Sequence, residues 1–119
     1  MKLGKKRIHI APVGFEIDRI VIPAVDNKAD KVFLLVHNNI KEDKASPYAE
    51  QIIKQLKSNK IESEKIQVNW RDVESITKAT RRLILEQFGN DIFVNVASGS
   101  KNHAIALDRA IMTLSLIHI

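Results

Sequence analysis

The stretch Asn95-Val96-Ala97-Ser98-Gly99-Ser100-Lys101 concentrates more chemistry than any other part of this chain. The apolar run Asp91–Val96 breaks at once into two hydroxyls, a glycine and a cation, and an alanine-rich helical pattern begins at about Asn102. A buried strand that empties through Ser-Gly-Ser-Lys into a helix puts unpaired backbone N–H groups, hydroxyls and an ammonium at one spot. Such a spot suits an anion, because free N–H groups and the helix dipole both favour negative charge there. A phosphate-bearing or nucleotide-like ligand is the expected guest. The loop is not of the Walker A type, which needs a second glycine five positions before Gly99, where Val94 stands. No G-x-G-x-x-G fingerprint occurs either. Taken alone, the four residues would equally make a tight turn with a solvated lysine, so their position in the fold decides.

That position follows from the elements around them. Arg7–Pro12, Lys31–Val36, Ile66–Trp70 and Asp91–Val96 read as strands. The second and fourth are continuous apolar runs, as expected for strands covered on both faces, whereas Ile66, Val68 and Trp70 alternate with polar residues like an edge strand. Ile17, Ile20, Val21 and Ala24 mark a first helix, which Pro23 is expected to kink or split. Ser46-Pro47 predicts an N-cap and a first-turn proline for a second helix carrying Ala49, Ile52, Ile53 and Leu56. Asp72 predicts the cap of a third, with Ile76, Ala79, Leu83, Ile84 and Phe88, stopped by Gly89-Asn90. The fourth, from about Asn102 to Met112, is apolar on most sides and expected to be well buried.

Strands alternating with helices predict an α/β, Rossmann-like doubly wound parallel sheet, and right-handed crossovers predict strand order 3-2-1-4. In such sheets ligands bind beyond the carboxyl ends of the strands where the winding reverses. The loops expected to meet there are Pro12-Val13-Gly14-Phe15 and Ala97-Ser98-Gly99-Ser100-Lys101. Gly14 would let the backbone approach a ligand closely, and Phe15 could stack on a base. Arg19 is a further ligand candidate, while Glu16 and Asp18 read as electrostatic caps of the first helix. His37, Asn38 and Asn39 end the second strand on the same rim.

No acid–base enzyme is visible in these residues. His9, His37, His103 and His118 show no metal-ligand spacing, and no Ser-His-Asp arrangement can be drawn from them. The expectation is a domain with no cofactor, no metal and no catalytic residue. With 119 residues there is room for at most one domain, burying roughly two-thirds of its unfolded surface. The absence of cysteine excludes disulfides and thiolate zinc sites and fits a cytoplasmic location. No apolar run approaches the ~18–20 residues of a membrane span, so no membrane partner is expected. The net charge of +5 comes with basic knots at Lys2, Lys5, Lys6 and Arg7 and at Lys78, Arg81 and Arg82. Solvated charge accounts for these more readily than an anionic partner, and no DNA-reading element accompanies them.

Leu114-Ser115-Leu116-Ile117-His118-Ile119 looks like the translation of a transposon-end adapter joined to a truncated gene. The expected organisation is a C-terminally truncated domain over residues 1–113, with 114–119 foreign to it. A four-stranded sheet ending there would leave the fourth strand as an open edge.

Ile8-His9-Ile10-Ala11-Pro12-Val13-Gly14-Phe15-Glu16-Ile17-Asp18-Arg19-Ile20, together with Asn95-Val96-Ala97-Ser98-Gly99-Ser100-Lys101, resembles a known group. It is the N-terminal domain of archaeal HFX_2341-type transcriptional regulators, related to the CRISPR-associated Rossmann fold, CARF. The resemblance spans residues 6–113, with Ala97 at a position often held by Ser or Thr. It implies a homodimeric, CRISPR-associated-type sensor that binds cyclic oligoadenylate or a related nucleotide. It also implies coupling to a C-terminal winged helix, which would supply all contact with DNA. By matching position, Gly14 and Phe15 would line the ligand and Ser98, Gly99, Ser100 and Lys101 would hold its phosphates. A slow ring nuclease, with Lys101 and Ser98 catalytic, and a plain dimerisation scaffold are the alternatives. Loop chemistry, topology and resemblance together make Pro12, Val13, Gly14, Phe15, Arg19, His37, Ala97, Ser98, Gly99, Ser100 and Lys101 the candidate ligand-binding residues.

Overall fold

A computed structural model describes residues 5–39 and 44–117, the last five of these as backbone only. Lys2 and His118 lie outside the described residues. The element order is β1 (Arg7–Pro12), α1 (Asp18–Asp26), β2 (Lys31–His37), α2 (Ser46–Ser58), β3 (Glu62–Val68), α3 (Val73–Glu86), β4 (Asp91–Val94) and α4 (Lys101–Ile117). The four strands form one sheet in the order β3-β2-β1-β4, and every pairing is parallel. Ile10 pairs with Phe33 on one side and Val94 on the other, so β1 is central. The expected fold class and strand order are both found.

Strand pleating sorts the apolar residues between two cores. Ala11, Val13, Val32, Leu34 and Val36 face α1 and α2, where Ile20, Ala24, Ile52 and Leu56 meet them. Ile8, Ile10, Phe33 and Leu35 face the other way, against Ile76 and Leu83 of α3 and Ala106 and Leu107 of α4. Val32 through Val36 are all buried, which is why β2 reads as an unbroken apolar run. Helices on both faces of a parallel sheet place the winding reversal between β1 and β4.

Several local expectations shift. β3 begins at Glu62 and stops at Val68, so Trp70 lies in the following turn. β4 stops at Val94 and is half-exposed, with Phe93 and Val96 open to solvent. It is an edge strand that α1 scarcely touches, so a continuous apolar run here does not mean two covered faces. Ser46 is the first helical residue of α2 rather than its cap; Ala45 precedes it and no side chain caps the helix. The Asp72 cap is present, its carboxylate accepting from the Glu74 N–H at 3.0 Å. Pro23 sits inside α1, which remains one continuous helix. In α4 only His103, Ala106, Leu107 and Ala110 are buried among the described side chains, while Ile105 and Met112 are exposed. That helix runs on through Ile117, and no helix among the described residues is long and apolar enough to cross a membrane.

Candidate ligand-binding site

At the carboxyl ends of β1 and β4 the two loops meet around a cavity of about 240 Å³. Val13, Gly14, Phe15, Glu16 and Arg19 form one wall, Ala97, Ser98, Gly99, Ser100 and His103 another, and Trp70 reaches in from the end of β3. Close contact between the loops requires glycine at two places. A Cβ on Gly14 would stand 2.6 Å from the Ser98 carbonyl oxygen. A Cβ on Gly99 would stand 2.7 Å from Pro12 Cγ and 2.8 Å from His103 Nδ1. Ser98 then ties the loops directly, its buried hydroxyl donating to the Pro12 carbonyl at 2.8 Å.

Asn95 and Arg19 fix the second loop against α1. The Asn95 side chain accepts from the Ala97 N–H at 3.0 Å and donates to the Arg19 carbonyl at 2.7 Å. The Arg19 guanidinium in turn donates to the Ala97 carbonyl at 3.1 Å and pairs with Glu16. Glu16 therefore does not act as a simple helix cap; it neutralises Arg19 at the cavity rim. The wall is held by hydrogen bonds that close on themselves, which leaves little for a ligand to reorganise.

Ser100 and His103 shape the start of α4. The Ser100 N–H donates to His103 Nδ1 at 3.1 Å, and the Ser100 hydroxyl lies 2.9 Å from the same nitrogen. The His103 N–H returns to Ser100 Oγ at 3.4 Å, a reciprocal cap across three residues. Among the described residues, no acceptor takes the backbone N–H groups of Gly99, Lys101 or Asn102. These are the orphan donors of a helix N-terminus, positively polarised and open to an anion. His103 is fully buried, and burial, helped by the neighbouring His37, pushes its pKa down to about 4. It is neutral at physiological pH. Beneath it His37, Trp70 and His103 form an aromatic row, His37 stacked on Trp70 at 5.6 Å and Trp70 edge-on to His103 at 5.0 Å.

Of the residues expected at the site, Val13, Gly14, Phe15, Arg19, Ala97, Ser98, Gly99 and Ser100 come together around the cavity. Pro12 lies behind the wall, packed against Gly99. His37 is buried one ring further in, behind Trp70. Lys101 opens α4 with its side chain exposed and does not line the cavity. Trp70 and His103 line it without having been singled out from the sequence. The Ser100-x-x-His103 spacing was the available signal for His103, since a residue three positions after a serine cap is placed to return its bond. A larger groove, about 600 Å³, runs between β2, β3 and α3. Its Lys31 is already paired with Glu64 at 3.0 Å.

The model of the HFX_2341_N-like, N-terminal family matches residues 7–119. The chain belongs to this family. It is also 31% identical over 106 residues to the uncharacterized protein MJ1513 of Methanocaldococcus jannaschii, a match covering 83% of this chain and 31% of that protein. The chain thus spans about a third of the length of its curated relative. Among solved structures, the fold is similar to Can2 from Sulfobacillus thermosulfidooxidans in complex with cyclic tetra-adenylate. That likeness has a TM-score of 0.73 at 23% identity, over 90% of this chain and 29% of Can2. It is likewise similar to VC1899 from Vibrio cholerae, with a TM-score of 0.75 at 13% identity, over 91% of this chain and 28% of that one. The expected family is borne out, and these structures share the expected Rossmann-like fold.

Proposed function

We propose that this family member is a ligand-sensing domain whose cavity takes a cyclic oligoadenylate or a related nucleotide. The observation that carries the reading is the meeting of the Gly14 loop and the open N-terminus of α4 at the winding reversal of the sheet. The N–H groups of Gly99, Lys101 and Asn102 suit a phosphate, and Phe15, exposed at the rim, suits a base. Can2, which shares the fold, is bound to cyclic tetra-adenylate.

A cavity of about 240 Å³ falls below the ~300–1,000 Å³ of pockets that enclose drug-sized ligands. One chain therefore suits part of a larger ring, and a two-fold dimer would present each group twice. Ile105 and Met112, exposed seven residues apart on one side of α4, give such a dimer an apolar seam next to the site. Within a longer protein, ligand-dependent dimer geometry would bias a C-terminal winged helix that binds DNA. Cleavage of the ring has less support: the Ser98 hydroxyl is engaged by Pro12, and Lys101 stands outside the cavity.

Calorimetric titration with cyclic tetra-adenylate tests the reading. Saturable binding, retained with linear adenylate competitor at equal concentration, is expected. The absence of any heat beyond dilution would overturn it.

A further inference from the structure

Two exposed aromatic side chains meet each other at the rim of the site. Phe15 is 59% exposed and Tyr48 37%, and their ring centroids lie 5.6 Å apart with the planes at 90°. Phe15 follows β1 and lines the cavity; Tyr48 belongs to the first turn of α2 and does not. The aromatic surface therefore runs on from the cavity over the start of α2. Both rings are carried by fixed backbone. Ala45 and Ala49, on either side of Tyr48, are buried in the core, and the Tyr48 N–H donates to the Ala45 carbonyl at 3.0 Å. Gly14, which precedes Phe15, sits hard against the Ser98 carbonyl. Aromatic rings with two torsions each, set on such backbone, lose little freedom when a ligand arrives.

In an edge-to-face pair one ring spends its edge on a single face of the other, so three of the four ring faces stay outside the contact. Helix formation does not call for tyrosine here. An exposed position in a first turn is served better by Glu or Gln, which form helices more readily, and a carboxylate would also suit the dipole. Accessible π faces beside a cavity are instead what a base stacks on. We propose that Phe15 and Tyr48 form a stacking station that takes a base of the ligand lying outside the cavity. The inference rests on the nucleotide-binding reading above and extends its footprint over α2. At about 240 Å³ the cavity encloses only part of a cyclic oligonucleotide, and the rest must lie on the rim. Tyr48 acts there as a positioning and specificity residue through its ring, and its hydroxyl is not required.

Tyr48 is the only tyrosine in the chain, so one set of ring resonances reports on it. Saturation with cyclic tetra-adenylate should move those resonances upfield, as a stacked base shields the ring protons. Inorganic phosphate, which has no ring to stack, should leave them in place. In calorimetry Tyr48→Ala should weaken binding of the cyclic ligand about tenfold, within the worth of one lost base stack. Tyr48→Phe should bind as the wild type does. Tyr48→Leu, which keeps apolar bulk without a π face, should bind as poorly as the alanine variant. All three substitutions are at an exposed position and should share the wild-type unfolding midpoint closely. If the wild type binds, three results each overturn this inference alone: tyrosine resonances unmoved or moved equally by phosphate, alanine matching the wild type, or leucine matching it. Wild-type protein that binds nothing overturns the functional reading and this inference with it. Should a variant fail to fold, the resonances of the unmodified protein still decide.

Discussion

The Asn95 side chain donates, at 2.7 Å, to the Arg19 carbonyl, the very oxygen that an N–H at position 23 would take if position 23 were not proline. A proline inside a helix leaves the carbonyl four residues earlier without its helical donor. Here that loss is offset by a residue 76 positions away, and the same amide accepts from Ala97. The apparent defect in α1 is therefore the anchor of the site's second loop. Asn95→Ala should lower stability by about 1–3 kcal/mol, since it strands a carbonyl and an N–H together. Pro23→Ala in that background should recover part of the loss, because alanine restores a backbone N–H where proline has none. Urea unfolding of the two single variants and the double variant measures the coupling, and purely additive effects would show that the two residues act independently.

Glycine is demanded for different reasons at Gly14 and Gly89. At Gly14 a methyl group would press on the Ser98 carbonyl at 2.6 Å, a backbone atom that cannot swing aside. Gly14→Ala should therefore push the two loops apart and cut ligand affinity at least tenfold, with about 1–3 kcal/mol lost from the fold. At Gly89 nothing lies within 4 Å, but φ is +97°. Gly89→Ala should cost about 1–2 kcal/mol of stability through backbone strain alone and leave affinity unchanged. Paired calorimetry and denaturation of the two variants separate contact from conformation.

Much of this was legible in the residues before any coordinates. The unbroken run Val32–Val36 announced a strand buried on both faces, and alternation of strands with helices carried the order 3-2-1-4. The convergence of Gly14 and Ser98 followed from topology. What escaped is non-local. Phe93 belongs to an equally apolar run yet is exposed, because periodicity cannot say whether a helix lies over an edge strand. Trp70 looked like the end of β3, and only the turn after Val68 aims it at the cavity. The partners of Asn95 and His103 are set by tertiary packing, although the Ser100–His103 spacing was a local clue.

Acid should loosen the fold through His103. Its folded pKa of about 4 lies below the ordinary 6.5, so between these values the unfolded chain binds the proton more readily. Stability should therefore rise with pH across that window, be fully present above about pH 6.5, and level off below about pH 4. The gap between 6.5 and about 4 sets an upper bound of about 3.4 kcal/mol on the change. His9, also lowered by burial, adds a contribution of the same sign. Unfolding midpoints measured between these two pH limits should fall more steeply for the wild type than for His103→Asn. Parallel curves would mean that His103 does not govern the acid limb.

Lys101 stands as the first residue of α4 with its side chain exposed, where a cation opposes the helix dipole. For stability alone this is the wrong residue in the wrong place. Lys101→Ala should therefore raise the unfolding free energy slightly, by about 0.3–1 kcal/mol. If the ammonium swings toward a bound phosphate, the same change should weaken cyclic tetra-adenylate binding about tenfold or more. It should also flatten the dependence of affinity on salt, because one screened charge pair is gone. Thermal unfolding without ligand and calorimetry at low and high ionic strength give the two readouts independently. A variant that is more stable and binds less well identifies a residue kept for the ligand at the expense of the fold; unchanged affinity at both salt concentrations would leave the backbone N–H groups of α4 as the whole anion seat.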